Sequence, residues 1–376
     1  MIKQKNGSGK KVDFTFLIIV LMLLIYGLTM VFSASSASAH YQNNDAFYFI
    51  KRQLVFALLG LGAMWFIATK MSINTIQKWS VPILGITFVL LILVLIPGIG
   101  IESKGARRWL GIDRLFTFQP SEIAKYAIIL FTANSLSKRQ TKLERFWKDL
   151  MPYLGVIVLF SGLILLEDHL SGATVVAFSG CLVLFLYGAK ISHFVWLGGA
   201  GLSAIAAAAI FEPYRLKRLV TFVNPFADPL GDGFQIIQSL YAIGSGGFFG
   251  LGLGQSRQKY MYIPEPHNDF IFSIICEELG FFGALLVIVL FALLIWRGIK
   301  IAMAAPDMFS ALSVGGIIGL VAFQVIVNIA VVTSSMPVTG MALPFFSYGG
   351  SSLTFLLAAM GYVLNVSKNM NKKQEG

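Results

Sequence analysis

Apolar residues gather into about ten runs, at 14–35, 53–69, 80–97, 120–137, 151–166, 172–188, 193–210, 279–296, 309–333 and 349–366. A helix crosses the hydrocarbon of a bilayer with roughly 20 such residues. Several runs are shorter than that, so their ends are soft. The pattern predicts an all-α polytopic membrane protein, a bundle of about ten transmembrane helices in a single integral membrane domain spanning 1–376. Most connections are brief, but 98–119, 211–268 and 334–348 are long. Structureless loops of the middle segment's size are uncommon and usually functional or disordered. This one holds a short predicted helix at Gly233–Leu240 and an apolar, glycine-rich stretch at Gly244–Gly254. Irregular apolar backbone beside a membrane is tolerated where it is buried in protein or lines a cavity. The segment between the seventh and eighth runs is therefore predicted to fold back onto the bundle as a large, partly re-entrant loop.

Composition agrees, and charge adds an orientation. Of 376 residues, 56% are hydrophobic and 12% charged, against about 25% charged in an ordinary soluble domain. If the chain crosses at every run with its N-terminus inside, the inside segments hold 17 of the 29 Lys and Arg and five of the 18 Asp and Glu. That asymmetry is the positive-inside pattern. It places the tails 1–13 and 367–376 in the cytoplasm and the three long segments outside the cytoplasmic membrane. The net charge of +11 is then a consequence of topology, and nucleic acid is not implied. Cys181 and Cys276 both fall in apolar helices, which leaves neither a disulfide framework nor a zinc pattern. The first apolar core, Phe14 to Phe32, exceeds the roughly 7–15 residues of a signal-peptide core and reads as an uncleaved helix.

The chemistry concentrates where the long middle segment meets the eighth run. Pro264 and Pro266 impose an extended approach, and a helix is expected to begin near Asn268 or Asp269. From Asp269 to Trp296 that helix is about 42 Å long at ~1.5 Å per residue, more than hydrocarbon needs. Asp269 has two readings, an N-cap that suits the helix dipole or a catalytic group. Capping does not account for Glu265, His267, Glu277 and Glu278 around the same point. Acids at this depth are expensive in lipid and are expected to line a wet cavity. Gly244–Gly254 lacks the Gly-Lys-Ser/Thr ending and preceding strand of a phosphate loop, so no nucleotide site is expected there.

The run Pro264-Glu265-Pro266-His267-Asn268-Asp269-Phe270-Ile271-Phe272, followed by Glu277-Glu278-Leu279-Gly280, resembles the SEDS family of FtsW, RodA and SpoVE. Arg107-Arg108-Trp109-Leu110, Gln119-Pro120-Ser121-Glu122-Ile123-Ala124-Lys125 and Tyr214-Arg215 are similar to that family's motifs in the same order. So are Gln235, Gln238-Ser239, Met336-Pro337-Val338-Thr339-Gly340 and Pro344-Phe345-Phe346-Ser347-Tyr348-Gly349-Gly350. Val31-Phe32-Ser33-Ala34-Ser35-Ser36 looks more like the division and sporulation branch than the elongation branch.

The resemblance implies a peptidoglycan glycosyltransferase of the bacterial cytoplasmic membrane, polymerising lipid II at the outer face beside a class B penicillin-binding protein. It implies Asp269 as the catalytic aspartate, a general base toward the acceptor hydroxyl. A flippase for lipid-linked precursors and a non-catalytic wall scaffold are the alternatives. Of the outside bases, most (Lys104, Lys217, Arg257 and Lys259 among them) read as lipid-headgroup contacts. Arg107, Arg108, Arg215 and Arg218 are candidates for the diphosphate, since guanidinium forks suit its oxygens. A divalent cation, Mg or Mn, on Asp269 or Glu278 is a further expectation. Glu122 and Lys125 read either as an intrahelical ion pair or as cavity-lining groups. One departure stands out: Glu167-Asp168-His169-Leu170-Ser171-Gly172-Ala173 has His169 where the family usually has Asp.

Overall fold

The computed structural model describes residues 12–370 apart from 104, 113–115, 140, 142, 197, 200–221, 230, 232 and 261. Helices dominate, in the order α1 (Phe14–Asn43), α2 (Tyr48–Lys70), α3 (Ile73–Leu95), α4 (Pro120–Ser137), α5 (Met151–Leu166) and α6 (Leu170–Leu186). They continue with α7 (Phe234–Ser245), α8 (Ile271–Met303), α9 (Met308–Val332) and α10 (Gly350–Ser367). Among the described residues seven helices are long and apolar enough to cross a membrane, and α6 is a shorter apolar one. In α4 the charged Glu122 and Lys125 interrupt the apolar character. The seventh run, 193–210, lies largely outside the described residues.

Lipid as solvent explains which side chains face outward. Leu54, Val55, Leu58, Leu59, Trp65 and Phe66 of α2 are all exposed, as no soluble helix would leave them. On its other face α2 packs closely against α10, and glycines permit the approach. A Cβ on Gly361 would stand 2.6 Å from the Met64 carbonyl oxygen, and one on Gly60 would stand 2.7 Å from Leu357 Cδ1. Small residues are what let helices meet backbone to backbone in a membrane. Asn365 Nδ2 donates to the carbonyls of Ile67 (2.6 Å) and Met71 (2.7 Å), satisfying the open end of α2.

The chain's two ends meet at one end of the bundle. Asp13 caps α1 by accepting from Phe16 N (2.9 Å) and accepts from Arg297 Nε (2.7 Å), while its own N–H donates to Ser367 Oγ (3.1 Å). At the far end of α1, Ser33 donates to Glu278, which marks the opposite end of the bundle.

Two connections carry the rest. Among the described residues of 98–119, β1 (Ile101–Ser103), β2 (Ala106–Ile112) and β3 (Phe116–Phe118) form an antiparallel sheet in that order. Trp109 faces Ile101 and Leu110 faces Phe118 across it. The stretch Gly246–Gly254 folds onto α8, as its composition predicted. Gly280 takes φ +64° inside α8, and the interrupted ladder frees carbonyls for other donors. Leu251 N donates to Glu277 O and Gly252 N to Glu278 O (both 2.9 Å), and Phe281 N donates to Gly247 O (2.9 Å). A Cβ on Gly246 would sit 1.8 Å from the Cys276 carbonyl oxygen, so only glycine fits.

Candidate active site

Asp269 lies in the turn just before α8, and Phe270 is the capping residue, with no side-chain cap. Helix capping therefore does not explain the aspartate. Its backbone is held from the other side of the site. The buried Asn328 of α9 donates to Asp269 O (2.8 Å) and Met341 O (2.7 Å). Ser347 Oγ donates to Asn268 O (2.8 Å) while accepting from Leu343 N (2.7 Å), and Tyr348 N donates to His267 O (2.8 Å). The 334–348 segment is thus the second wall of the site. Its Gly340, at φ +72°, leaves room where a Cβ would lie 3.3 Å from Asp269 Oδ2.

A cleft of about 310 Å³ opens here, lined by Gln235, Pro264, Glu265, Asn268, Asp269 and Phe270. Glu265, at φ +48°, is fixed by Asn268, whose Nδ2 donates to Glu265 Oε2 (2.8 Å) and whose N–H donates to Glu265 O (3.0 Å). Two carboxylates and two amides between a proline and an aromatic wall suit a polyhydroxylated ligand: acceptors for hydroxyls, an apolar face for a ring.

The other acids of the motif do different work. Glu277 and Glu278, expected to line a cavity, are buried and bonded to the loop. Glu277 accepts from Ser256 Oγ and from Arg257 N (2.9 Å). Glu278 is 0% exposed and accepts from Ser33 Oγ (2.5 Å), Ser256 N (3.2 Å) and Lys259 Nζ (3.1 Å). Lys259, read as a headgroup contact, is 2% exposed and forms this ion pair. These acids do not line the Asp269 cleft, because a buried carboxylate requires donors and the loop supplies them. His267 is also turned away, buried with its ring 4.4 Å from that of Phe49 and 5.6 Å from that of Tyr348.

Glu122 and Lys125 form the intrahelical pair at 2.6 Å. Buried Lys125 also borders a small cavity of about 20 Å³ with Tyr348, Gly349 and Ser352. Arg107 Nε lies 3.4 Å from Glu102 Oε2 on the exposed sheet. Arg108 turns inward and donates to the carbonyls of Glu167 (3.3 Å) and Asp168, so its guanidinium is committed to main chain rather than presented to an anion. Arg215 and Arg218 lie outside the described residues. Of the two acids named for a divalent cation, Asp269 or Glu278, Glu278 is occupied as described. Among the described residues there is no group of three or more His, Cys, Asp or Glu that could hold a metal ion.

At the departure position, Glu167 is buried, Asp168 is exposed and His169 faces α4. Gln119 Nε2 donates to His169 Nδ1 (3.0 Å). Burial pushes the Glu167 carboxyl up to about 8, with the Arg108 charge opposing. Burial first, and Arg108 second, lower His169 to about 4. The residues sequence reasoning did not assign to the site are Asn328, Gly340 and Ser347. Gly340 and Ser347 fall within motifs quoted above, and Asn328 stands with Gln324 as an amide inside an apolar run.

Comparison with known proteins agrees along nearly the whole chain. The family model for FtsW, RodA and SpoVE, described as "Cell cycle protein", matches residues 14–372. Stage V sporulation protein E of Bacillus subtilis is 49% identical over 358 residues, 95% of this chain and 97% of that protein. A probable peptidoglycan glycosyltransferase FtsW of Trichlorobacter lovleyi is 43% identical, over 95% and 93%. Among solved structures, a chain of a peptidoglycan synthase complex that coordinates polymerization and crosslinking superposes with a TM-score of 0.79 at 33% identity, covering 96% of this chain and 99% of that one. The rod shape determining protein RodA of Thermus thermophilus gives 0.70 at 31%, over 96% and 98%. The helix order among the described residues, the cleft before α8 and these matches lead to one conclusion: the chain belongs to the SEDS family of FtsW, RodA and SpoVE.

Proposed function

We propose that this protein is a peptidoglycan glycosyltransferase of the division and sporulation branch, polymerising lipid II at the outer face of the cytoplasmic membrane. The observation that carries the reading is Asp269: it stands in a cleft of about 310 Å³, beside a glycine that makes room for its carboxylate. The names of the relatives support it, since FtsW proteins more than 40% identical to this chain are described as probable peptidoglycan glycosyltransferases. Asp269 takes the proton of an acceptor sugar hydroxyl as that oxygen attacks the donor's anomeric carbon. The bond from that carbon to the diphosphate oxygen breaks, its electron pair leaves with undecaprenyl diphosphate, and the anomeric centre inverts. Arg107, Arg215 and Arg218 are the remaining candidates for the diphosphate.

Both termini are assigned to the cytoplasm by the excess of Lys and Arg in the segments at their end of the bundle. That puts the Asp269 end outside, where lipid-linked sugars are consumed. A class B penicillin-binding protein is the proposed partner, a reading supported by the similar synthase complex, in which polymerization and crosslinking are coordinated. The test is to incubate the purified protein and its partner with labelled lipid II in detergent, where no bilayer remains to be crossed. Glycan polymer is expected. Intact lipid II at the end of the reaction, together with lipid II movement in vesicles, would replace this reading with a flippase.

A further inference from the structure

The turn between α5 and α6 carries three titratable side chains in a row, and the proposed reaction uses none of them. Glu167 is 1% exposed, and among the described residues neither of its carboxyl oxygens accepts a hydrogen bond. Arg108 reaches this turn from β2, yet spends its donors on the carbonyls of Glu167 and Asp168. His169 Nδ1 meets Gln119 Nε2 at 3.0 Å and Ser121 Oγ at 3.4 Å. Gly172 makes this possible, because a Cβ there would lie 2.4 Å from the same ring nitrogen. Asp168 takes φ +56°, so the turn is held in a costly shape. One turn therefore grips the sheet twice, through β2 and through Gln119, the residue that joins β3 to α4.

The charge state decides whether the grip holds. As a neutral acid, Glu167 is compatible with a buried position that offers it no donor. As a carboxylate it becomes the strongest acceptor near Arg108, whose fork suits it better than two carbonyls do. The charged groups facing His169 are Arg108 from β2 and Glu122 and Lys125 from α4. Neutral His169 accepts from Gln119, and a protonated ring would have no lone pair to do so.

We propose that Arg108, Glu167 and His169 are positioning residues forming a proton-dependent latch. Closed with Glu167 protonated and His169 neutral, it docks the sheet and the start of α4, and so places the Glu122–Lys125 pair. This inference does not depend on the glycosyltransferase reading, and its readout below requires no turnover.

The sign follows from linkage. Glu167 is raised in the latched state, so the stability it lends is complete below the ordinary carboxylate range and lost by about pH 8. His169 is lowered, so its contribution is present above its usual value near 6.5 and lost as pH falls through about 4. Hydrogen exchange of the Arg107, Trp109 and Leu110 amides in the full-length protein reads the latch, after division by the intrinsic rate at each pH. Between about pH 5 and 6.5 the two contributions oppose each other and the opening constant changes little; from about 6.5 to 8 only Glu167 acts, and the constant is expected to rise up to roughly tenfold per pH unit, then level off. In Glu167→Gln, which cannot ionise, that rise is absent and only the His169 decrease below about pH 6.5 remains. Equal slopes above pH 6.5 in the wild type and Glu167→Gln, or a wild-type profile flat from 6.5 to 8, overturn the proposal. Should Glu167→Gln fail to fold, Arg108→Lys asks the same question: exchange is then raised and no longer pH-dependent above about pH 6.5, and a wild-type slope there overturns it.

Discussion

Asp269 and Glu278 are acids of one short motif, nine residues apart, and the molecule treats them in opposite ways. Glu278 is fully buried and receives a serine hydroxyl, a main-chain N–H and the Lys259 ammonium. Asp269 is fixed by its main chain, through Asn328, while its carboxylate lines a cleft between two loops. Each pattern fits its task. A fully buried carboxylate bonded to a loop holds structure together, whereas one that lines a cleft can meet a ligand. Density of titratable groups in sequence does not separate the two; burial does.

The largest effect of breaking this contrast on the structural side is expected from Glu278→Gln. It leaves Lys259 as an uncompensated buried charge, at a cost of about 3–5 kcal/mol, and the melting temperature in detergent falls accordingly. A melting temperature equal to the wild type's would show that the pair holds nothing. A smaller effect, on the cleft side, is expected from Gly340→Ala. Its Cβ would meet Asp269 Oδ2 at 3.3 Å and force φ +72° on a residue that disfavours it. A displaced base lowers polymerisation about tenfold or more, with melting changed far less than in Glu278→Gln. Rates matching the wild type would mean that Gly340 does not set the carboxylate's position.

Much of this was legible in the sequence, for reasons particular to each element. The fifth run, 151–166, matches α5 because lipid permits no other structure for so apolar a stretch. The glycine-rich segment was readable as folding back, since its composition suits close backbone packing. The sheet at 101–118 was not, because Ala106–Ile112 buries only Ala106 and Leu110 and lacks the alternation that marks a half-buried strand. The pairings of Arg108 and Lys259 escaped the sequence for a shared reason. Their partners, the carbonyls of Glu167 and Asp168 and the carboxylate of Glu278, lie 19 to 60 residues away, and no local pattern encodes such pairings. The kink at Gly280 escaped notice too, since one glycine inside an apolar run has no local signature beyond itself. Asp269 was conspicuous, but its freedom from capping became visible only once α8 was seen to begin at Ile271.

The most direct measurement compares Asp269→Asn with the wild type for both binding and polymerisation of lipid II on the same folded samples. If Asp269 is the base, binding and melting temperature stay near wild-type values while polymerisation falls by about 10²–10⁴-fold. Glycan strands formed at the wild-type rate by Asp269→Asn would contradict the account.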